Sequence, residues 1–556
     1  MTHASGRREA TVGKTAIIGL DGATSRLLDP LFAAGVMPAL AALRDRGAHG
    51  TLTSTTPAYT PPAWVSMITG VNPGRHNVYG FLATTPQEPA KIAHAGTIAS
   101  TPIWRFTEAR DVSIGVYNVP MTYPPAPGVR GFLVSGGLAA GWTSPDVDGF
   151  ASDAEVADVI REVTGGSYPI DTVVSYENDW TRPSAIDEVT AIQIKRRAVL
   201  GALLERRDVD MVFAVFEGTD RLQHLHYQYL VECSDWYARP QAPRMRERAW
   251  AYFAELDLAI ADLVAWAGPE GDVLIVSDHG AGPWEKTLNV NLLLHEWGFL
   301  RLPAVSRITR AGVVAGPIQA AARRLLPRGL LLRAKNRINR GLDWDSTEAF
   351  ASQVAEQGIH VNERGPALPH GVLDAERTEE VTADITERLL GLVDPADGDP
   401  VVDRVIPRHE AAHGPFASRA PHLFPICRDQ RYELSDTLAA TSPLTDHRDR
   451  PWGYHHQDGV FIGAGPSFVP GPIPRSLQVV DVLPTAFRVA GLGVPEGLDG
   501  RVAEEIVSRA ATGAERTVAP GAEARGDGGE GAAVYPFTEE DERQIEESLR
   551  GLGYLE

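Results

Sequence analysis

The chain has 556 residues, 43% of them hydrophobic, and a formal net charge of −20 from 52 Lys and Arg against 72 Asp and Glu. A chain of this length can bury a large core, and one large unit carrying an insertion is expected in preference to several equal domains. The acidic balance argues against general binding to nucleic acid or anionic membrane, two cysteines exclude a disulfide framework, and no apolar run is long enough to span a bilayer.

Residues 1–13 are polar, contain Arg7-Arg8 and lack an apolar stretch. They are expected to form a flexible tail and not a signal peptide, so a cytoplasmic location is the default expectation. Residues 14–20 read as a strand that runs into Asp21-Gly22. Asp-Gly after a strand is usually only a turn. Residues 51–56 are rich in β-branched side chains and read as a second strand or its exit. Tyr59-Thr60-Pro61-Pro62-Ala63-Trp64 then opens a helix whose apolar residues reach Ile68 and which stops at Gly70. Thr60 is placed at the N-cap and Pro61 at the first helical position, where a missing N–H does no harm. Free N–H groups and the dipole at a helix start favour anions, so a phosphate against Thr60 is one reading and a plain cap the other.

Asn118-Val119-Pro120 and Tyr123-Pro124-Pro125 make a rigid loop. Residues 210–216 read as a strand leading through Glu217-Gly218-Thr219 to Asp220, with His224 one helical turn later. Asp and His at that spacing suit one metal, and they suit a solvated helix face equally. Residues 272–277 lead into Asp278-His279-Gly280, where adjacent Asp and His in a tight turn can address two neighbouring ions. Residues 301–340 are rich in arginine and read as one or two amphipathic helices with a solvated basic face. A helix is expected at 375–392 inside a small α+β insertion. His455-His456-Gln457 precedes a short strand at 458–463, with His456 and His447 competing for any role of His455. Residues 511–533 read as a Gly/Ala/Glu-rich linker, and 538–552 as a helix capped by Thr538 with Ile545 and Leu549 on its apolar seam.

Apolar strands separated by helical stretches indicate an α/β chain, with a mostly parallel central sheet and helices on both faces. Ligand residues in such folds gather beyond the carboxyl ends of the strands, so Asp21, Thr60, Asp220 and Asp278 are expected to converge. The expected division is a tail at 1–13, a core at 14–300 and 441–510, an inserted cap or subdomain at 301–440, a linker at 511–534 and a C-terminal helix and tail at 535–556. Three carboxylates, three imidazoles and one hydroxyl can fill two metal sites and leave a reactive position open.

The ordered stretches IIGLDG, MPALAALRDRGAHGTL, TPPAWVSMITGVNPGRH, YNVPMTYPP, GTDRLQH, VSDHG and HHQDGVFIGAGP resemble the alkaline phosphatase superfamily. Within it they are most similar to the type I phosphodiesterase/nucleotide pyrophosphatase group and its bacterial phosphohydrolase or phosphomutase branch. The resemblance implies a three-layer alkaline-phosphatase-like fold with an inserted α+β subdomain. It also implies that Asp220, His224 and His455 hold one divalent metal. Asp21, Asp278 and His279 would hold the other, which binds the Thr60 oxygen too. Zinc is the expected metal and manganese the second choice.

The resemblance further implies hydrolysis of a small phosphate ester, diester or monoester, through a phosphothreonine at Thr60. A phosphomutase using the same two metals is the nearest competitor, and a catalytically silent binding protein on this fold is a third reading. Trp64, Phe81, Asn118, Tyr123 and Trp142 are the candidate substrate-pocket residues, Trp64 being equally well read as core packing. Phe81 stands near the position where nucleotide pyrophosphatases carry a phosphate-contacting asparagine, which points away from ordinary dinucleotide substrates. Neither cysteine lies in a Cys/Ser-x-Pro-x-Arg setting, so a sulfatase is not expected.

Overall fold

The computed structural model describes residues 13–83, 91–137, 143–144, 147–169, 181–303, 342–352, 357–508 and 538–551. Trp142, the arginines between 304 and 340, the linker at 511–533 and the tail at 552–556 lie outside the described residues.

A nine-stranded mixed sheet forms the centre. Its order is Gly471–Pro472, Ala48–Thr53, Asp458–Ala464, Asp272–Val276, Thr15–Leu20, Met211–Phe216, Ile114–Val119 and Gly131–Ser135, with Leu477–Gln478 beside Ala48–Thr53. Among the described residues only Asp458–Ala464 runs antiparallel to its neighbours in this sheet. The three central strands start in register, Thr15 facing both Met211 and Asp272, so their carboxyl ends finish together.

These strands are apolar throughout because both faces are covered. Ile18, Val212 and Ile275 enter one core cluster, and Ile17, Phe213 and Leu274 enter the other, as alternation along a strand requires. Helices Pro183–Arg206, Gly218–Leu230 and Ala242–Ala267 cover the first face, through residues such as Leu200, Leu222 and Leu256. Helices Thr60–Thr69 and Val482–Val489 cover the second, through Trp64, Met67, Ile68 and Leu483. Gly19 lies under Trp64, where an added Cβ would come within 2.4 Å of the indole. The arrangement is a three-layer α/β fold with a mostly parallel central sheet, as the resemblance implies.

A third cluster holds the inserted module together and reaches from Leu288 to Leu438. It contains the sheet Ala349–Ala351, Ile359–Val361, Leu423–Cys427 and Val402–Pro407, the helix Ala375–Leu390, and a smaller sheet of Tyr432–Ser435, Lys286–Asn289 and Leu444–Asp446. Residues before 301 therefore pack with this module. The helix Glu539–Gly551 is capped reciprocally, since Thr538 Oγ1 accepts from Asp541 N–H at 3.1 Å and Asp541 Oδ2 accepts from Thr538 N–H at 2.8 Å. Its Ile545 is buried in the first cluster. Among the described residues no single helix is long and apolar enough to cross a membrane.

Candidate active site

Asp21 is the first residue beyond Thr15–Leu20, and its N–H continues the ladder to Phe216 O at 3.1 Å. Asp220 and His224 lie one turn apart on Gly218–Leu230, a helix buried from Thr219 onward because the helices Pro183–Arg206 and Ala242–Ala267 and the strands Gly280–Pro283 and Gly453–His456 pack against it. Asp278 and His279 form the turn between Asp272–Val276 and the short strand Gly280–Pro283. That short strand pairs antiparallel with Gly453–His456, setting His455 opposite Ala281 and so above the same strand ends.

Thr60 is the first residue of its helix, and Tyr59 occupies the N-cap. The expected cap position is thus one residue late: the helix begins at Thr60 and not at Pro61. The expected anion cradle is also reduced: Pro61 and Pro62 carry no N–H, and Ala63 N–H already bonds Tyr59 O at 3.1 Å. The first turn leaves one backbone donor, that of Thr60. The helix stops at Gly70, whose φ of 68° is the left-handed conformation glycine adopts freely.

The seven residues meet. Thr60 Oγ1 is 3.2 Å from His279 Nε2, which is 3.2 Å from Asp278 Oδ2 and 3.6 Å from Asp21 Oδ1. His224 Nε2 is 3.0 Å from His455 Nε2 and 3.3 Å from Asp220 Oδ1, and His455 Nε2 is 3.7 Å from the same oxygen. Asp21, Asp278 and His279 make one candidate metal-ligand group, and Asp220, His279 and His455 another, each with donor atoms within 4.8 Å of one another. His279 belongs geometrically to both.

Each carboxylate has one oxygen tied to a fixed donor. Trp64 Nε1–H donates to Asp21 Oδ2 at 3.0 Å, Gly22 N–H to Asp278 Oδ1 at 3.1 Å, and Arg221 to Asp220 Oδ2 at 3.0 Å. The other oxygens turn inward, and Asp21 Oδ1 and Asp278 Oδ2 are buried without a donor. His279 Nδ1–H donates to Gly280 O at 2.9 Å, so the neutral imidazole faces those oxygens with its Nε2 lone pair. Buried carboxylate oxygens without a donor, crowded beside one imidazole, fit a cation.

The electrostatics agree. Burial raises the Asp21 carboxyl well above its usual range, and the charges of Asp278 and Asp220 add to this against Arg221 and Trp64. Asp278 is pushed up to about 6, chiefly by burial. Burial also raises Asp220, but the charges of His224, His455 and Arg221 more than offset it and hold that carboxyl below its ordinary range. His455 is driven down by burial and by the adjacent His279 and His224.

The pocket candidates are placed differently. Trp64 is fully buried in the core and touches the site through Asp21. Phe81 packs edge-on against Tyr59 at 5.1 Å, and the Tyr59 ring lies 5.5 Å from His455. Asn118 is buried and donates to Val215 O at 3.1 Å, and Tyr123 donates to Asp541 Oδ1 at 2.7 Å. Of the competing histidines, His456 accepts from Asp458 N–H at 3.1 Å and His447 lies 2.9 Å from Thr287 Oγ1. Sequence reasoning missed Gly22, Arg221, Gln223, whose amide reaches Gly22 O at 2.6 Å, and Tyr454, stacked on His455 at 4.8 Å. Adjacency to Asp21, Asp220, His224 and His455 was the available signal.

The sequence profile of the type I phosphodiesterase/nucleotide pyrophosphatase family matches residues 15–432. No curated protein matches the chain. Among solved structures, the phosphonoacetate hydrolase of Sinorhizobium meliloti 1021 in complex with phosphonoacetate is similar at 17% identity and a TM-score of 0.49, over 85% of this chain and 94% of its own. Murine ectonucleotide pyrophosphatase/phosphodiesterase 5 in complex with AMP is similar at 12% identity and a TM-score of 0.46, over 89% of this chain and 100% of its own. The family match spans well over half of the sequence and includes Asp21, Thr60, Asp220, His224, Asp278 and His279. The chain therefore belongs to the type I phosphodiesterase/nucleotide pyrophosphatase family of the alkaline phosphatase superfamily, and it is a phosphoric ester hydrolase.

Proposed function

We propose that the protein hydrolyses a small phosphate ester in two steps, through a phosphothreonine at Thr60, with two divalent cations bound. The observation that carries this reading is the Thr60 hydroxyl at 3.2 Å from the His279 Nε2 lone pair, beside two carboxylate oxygens that have no donor. One cation would be held by Asp21, Asp278 and His279 and the other by Asp220, His224 and His455; together they would supply positive charge to the phosphoryl oxygens and make the Thr60 hydroxyl easier to deprotonate. Three carboxylates and three imidazoles without thiolate suit zinc first and manganese second. In this reading the core expected at 14–300 and 441–510 carries the chemistry, except that Lys286–Leu300 and Leu444–Asp446 pack with the inserted module expected at 301–440.

The protein's own groups then have defined tasks. Gly280 O fixes the His279 tautomer, so the Nε2 lone pair faces Thr60, Asp21 and Asp278 and would be the atom that holds the cation. Trp64, Gly22 and Arg221 hold the three carboxylates so that one oxygen of each faces inward. Thr60 Oγ gives up its proton to solvent and forms a bond to phosphorus as the bond to the leaving oxygen breaks, and that oxygen keeps the electron pair and takes a proton from water. Water then attacks the phosphothreonine, returning Thr60 to its hydroxyl and releasing the phosphoryl product.

Protein purified without chelator should contain two ions per chain by elemental analysis. Thr60→Ala should keep both ions and lose most turnover, while Thr60→Ser keeps part of it. Labelled phosphate trapped on any residue other than Thr60, or full activity in Thr60→Ala, rules out the mechanism. In oxygen-18 water the released product should carry label; an isomerised, unlabelled product would instead identify a mutase.

A further inference from the structure

Between the inserted module and the loop before the nucleophile, a cleft runs from residues 56–58 to Tyr432, and of the seven clustered residues it touches only His455. Thr60 belongs to the other half of the cluster, with His279, Asp21 and Asp278. For an in-line displacement the leaving group lies across phosphorus from the attacking oxygen; His455, which lines the cleft, is grouped with Asp220 and His224 and not with the residues nearest Thr60.

The lining is unusual for an enzyme that handles phosphates. Among the described residues it contains no Lys, Arg, Asp or Glu; its walls are apolar side chains such as Ile426, the rings of Tyr432 and Tyr454, and the amides of Gln357, Gln430 and Gln457. Lys286 and Arg428 lie 5.6 Å and 5.4 Å from the centre of the Tyr432 ring, but Asp394 takes the lysine and Asp397 holds the arginine at 2.6 Å. Arg404 bonds Gln457 Oε1 at 3.3 Å from an exposed position outside the cleft. Away from the His455 end, where the proposed cation would sit, a second phosphate or a carboxylate entering here would lose water without meeting a cation.

The amides are held in place by an uncommon backbone. Arg428, Asp429 and Gln430 are successive non-glycine residues in the left-handed region, at φ 51°, 51° and 59°, and Gln357 stands at 64°. Asp429 N–H bonds Asp403 Oδ2 at 2.6 Å and Arg431 N–H bonds Arg428 O at 3.1 Å, which fix the turn. As a result Gln430 Oε1 accepts from Gln457 N–H at 2.8 Å, Gln457 donates to Thr56 at 3.1 Å, and Gln357 donates to the Tyr454 hydroxyl at 3.2 Å. The Gln430 amide nitrogen makes no hydrogen bond among the described residues. Strained conformations that persist at such a place are a mark of function.

We propose that this cleft receives the leaving alcohol of the substrate and selects an uncharged one, with Gln430 Nε2 as the donor that reads an oxygen on it. The proposal rests on the two-step reading above. In the first step the bond from phosphorus to the alcohol oxygen breaks, its electron pair stays on that oxygen, and the oxygen takes a proton from water while Thr60 holds the phosphoryl group. Esters of neutral alcohols are then preferred over pyrophosphate-linked substrates, whose leaving group is an anion.

The test uses the full chain with its metals and two aryl phosphates of similar leaving-group acidity, 4-carbamoylphenyl phosphate and 4-carboxyphenyl phosphate. The kcat/KM for the carbamoyl ester should exceed that for the carboxy ester by about tenfold or more. Gln430→Lys, which brings an ammonium to the cleft, should narrow or reverse the ratio, while Gln430→Leu should keep the preference for the neutral ester. Each ratio is taken within one preparation, so partial loss of folded enzyme in a variant does not alter it. Calorimetric binding of the product phenols, 4-hydroxybenzamide and 4-hydroxybenzoate, should follow the same order without turnover. A ratio near one in both measurements, or one that Gln430→Lys leaves unchanged, overturns the assignment. Discrimination between the phenols together with full activity in Thr60→Ala would keep the cleft and overturn the nucleophile.

Discussion

Trp64 shows how much a single donor contributes to this site. Its ring fills the core against Phe213 at 6.2 Å, and its Nε1–H fixes Asp21 Oδ2, leaving Oδ1 to face His279. Trp64→Phe keeps most of the packing and removes the donor. Groups that orient a metal ligand typically change affinity by about 10–100-fold when lost, and this variant should lose metal affinity on that scale in competition with a chelator. Normal affinity would mean that backbone geometry alone sets the Asp21 carboxylate. The sequence placed Trp64 beside the nucleophile but divided it evenly between core and pocket, because its partner lies 43 residues away. Thr60 was legible through the Thr-Pro-Pro helix start, with its position displaced by one residue.

At the scale of elements, the helix carrying Asp220 and His224 is anchored by a buried ion pair at its start. Glu217, its N-cap, accepts from Arg196 at 2.7 Å and from Gly137 N–H at 3.0 Å, and the two charged side chains are each 4% exposed. Breaking such a pair from one side strands the other charge in a low-dielectric interior. Arg196→Met should therefore cost about 3–5 kcal/mol in denaturant unfolding, and adding Glu217→Leu should recover part of that loss. Strictly additive losses would show that the two residues act separately. Neither appeared among the sequence candidates, since Arg196 lies mid-helix and reads as solvated until its burial is seen. The C-terminal helix shows the same division. Thr538 and Ile545 predicted its cap and its buried face, whereas the Tyr123–Asp541 bond joins positions 418 residues apart and has no local signature.

Across the whole molecule, the strands legible in the sequence are those with continuous apolar runs, and they are the ones that bring Asp21, Asp220 and Asp278 to one edge. The inserted module was visible mainly as a stretch without ligands; its grip on Tyr454 and Gln457 comes from side-chain amides on residues in the left-handed region, which composition does not encode. The module also carries part of the response to acid. Burial lowers His76 in the core and His422 in the module to about 3, and His360 in the module is driven well below its ordinary value by burial, His422 and Arg408. These rings stay neutral in the folded chain but gain a proton near pH 6.5 once unfolded. Their contribution is fully present above about pH 6.5 and is lost as the pH falls toward the folded values, at about 1.4 kcal/mol per pH unit for each ring. Carboxylates held low by arginine, such as Glu505 at about 2, begin to lose their contribution only nearer pH 4, so the histidines dominate the first part of the fall. Unfolding free energy should thus drop between pH 6.5 and about 4.5, less steeply in metal-free protein, where Asp21 and Asp278 take up protons in the folded chain over the same range and offset part of the fall. His360 stacks on Phe350 at 5.3 Å and its Nε2 has no hydrogen-bond partner among the described residues, so His360→Phe preserves the packing and removes one titrating ring. Its unfolding free energy should fall with a slope shallower by about one proton, and an unchanged slope would mean that this ring is already protonated, or still neutral, in both states.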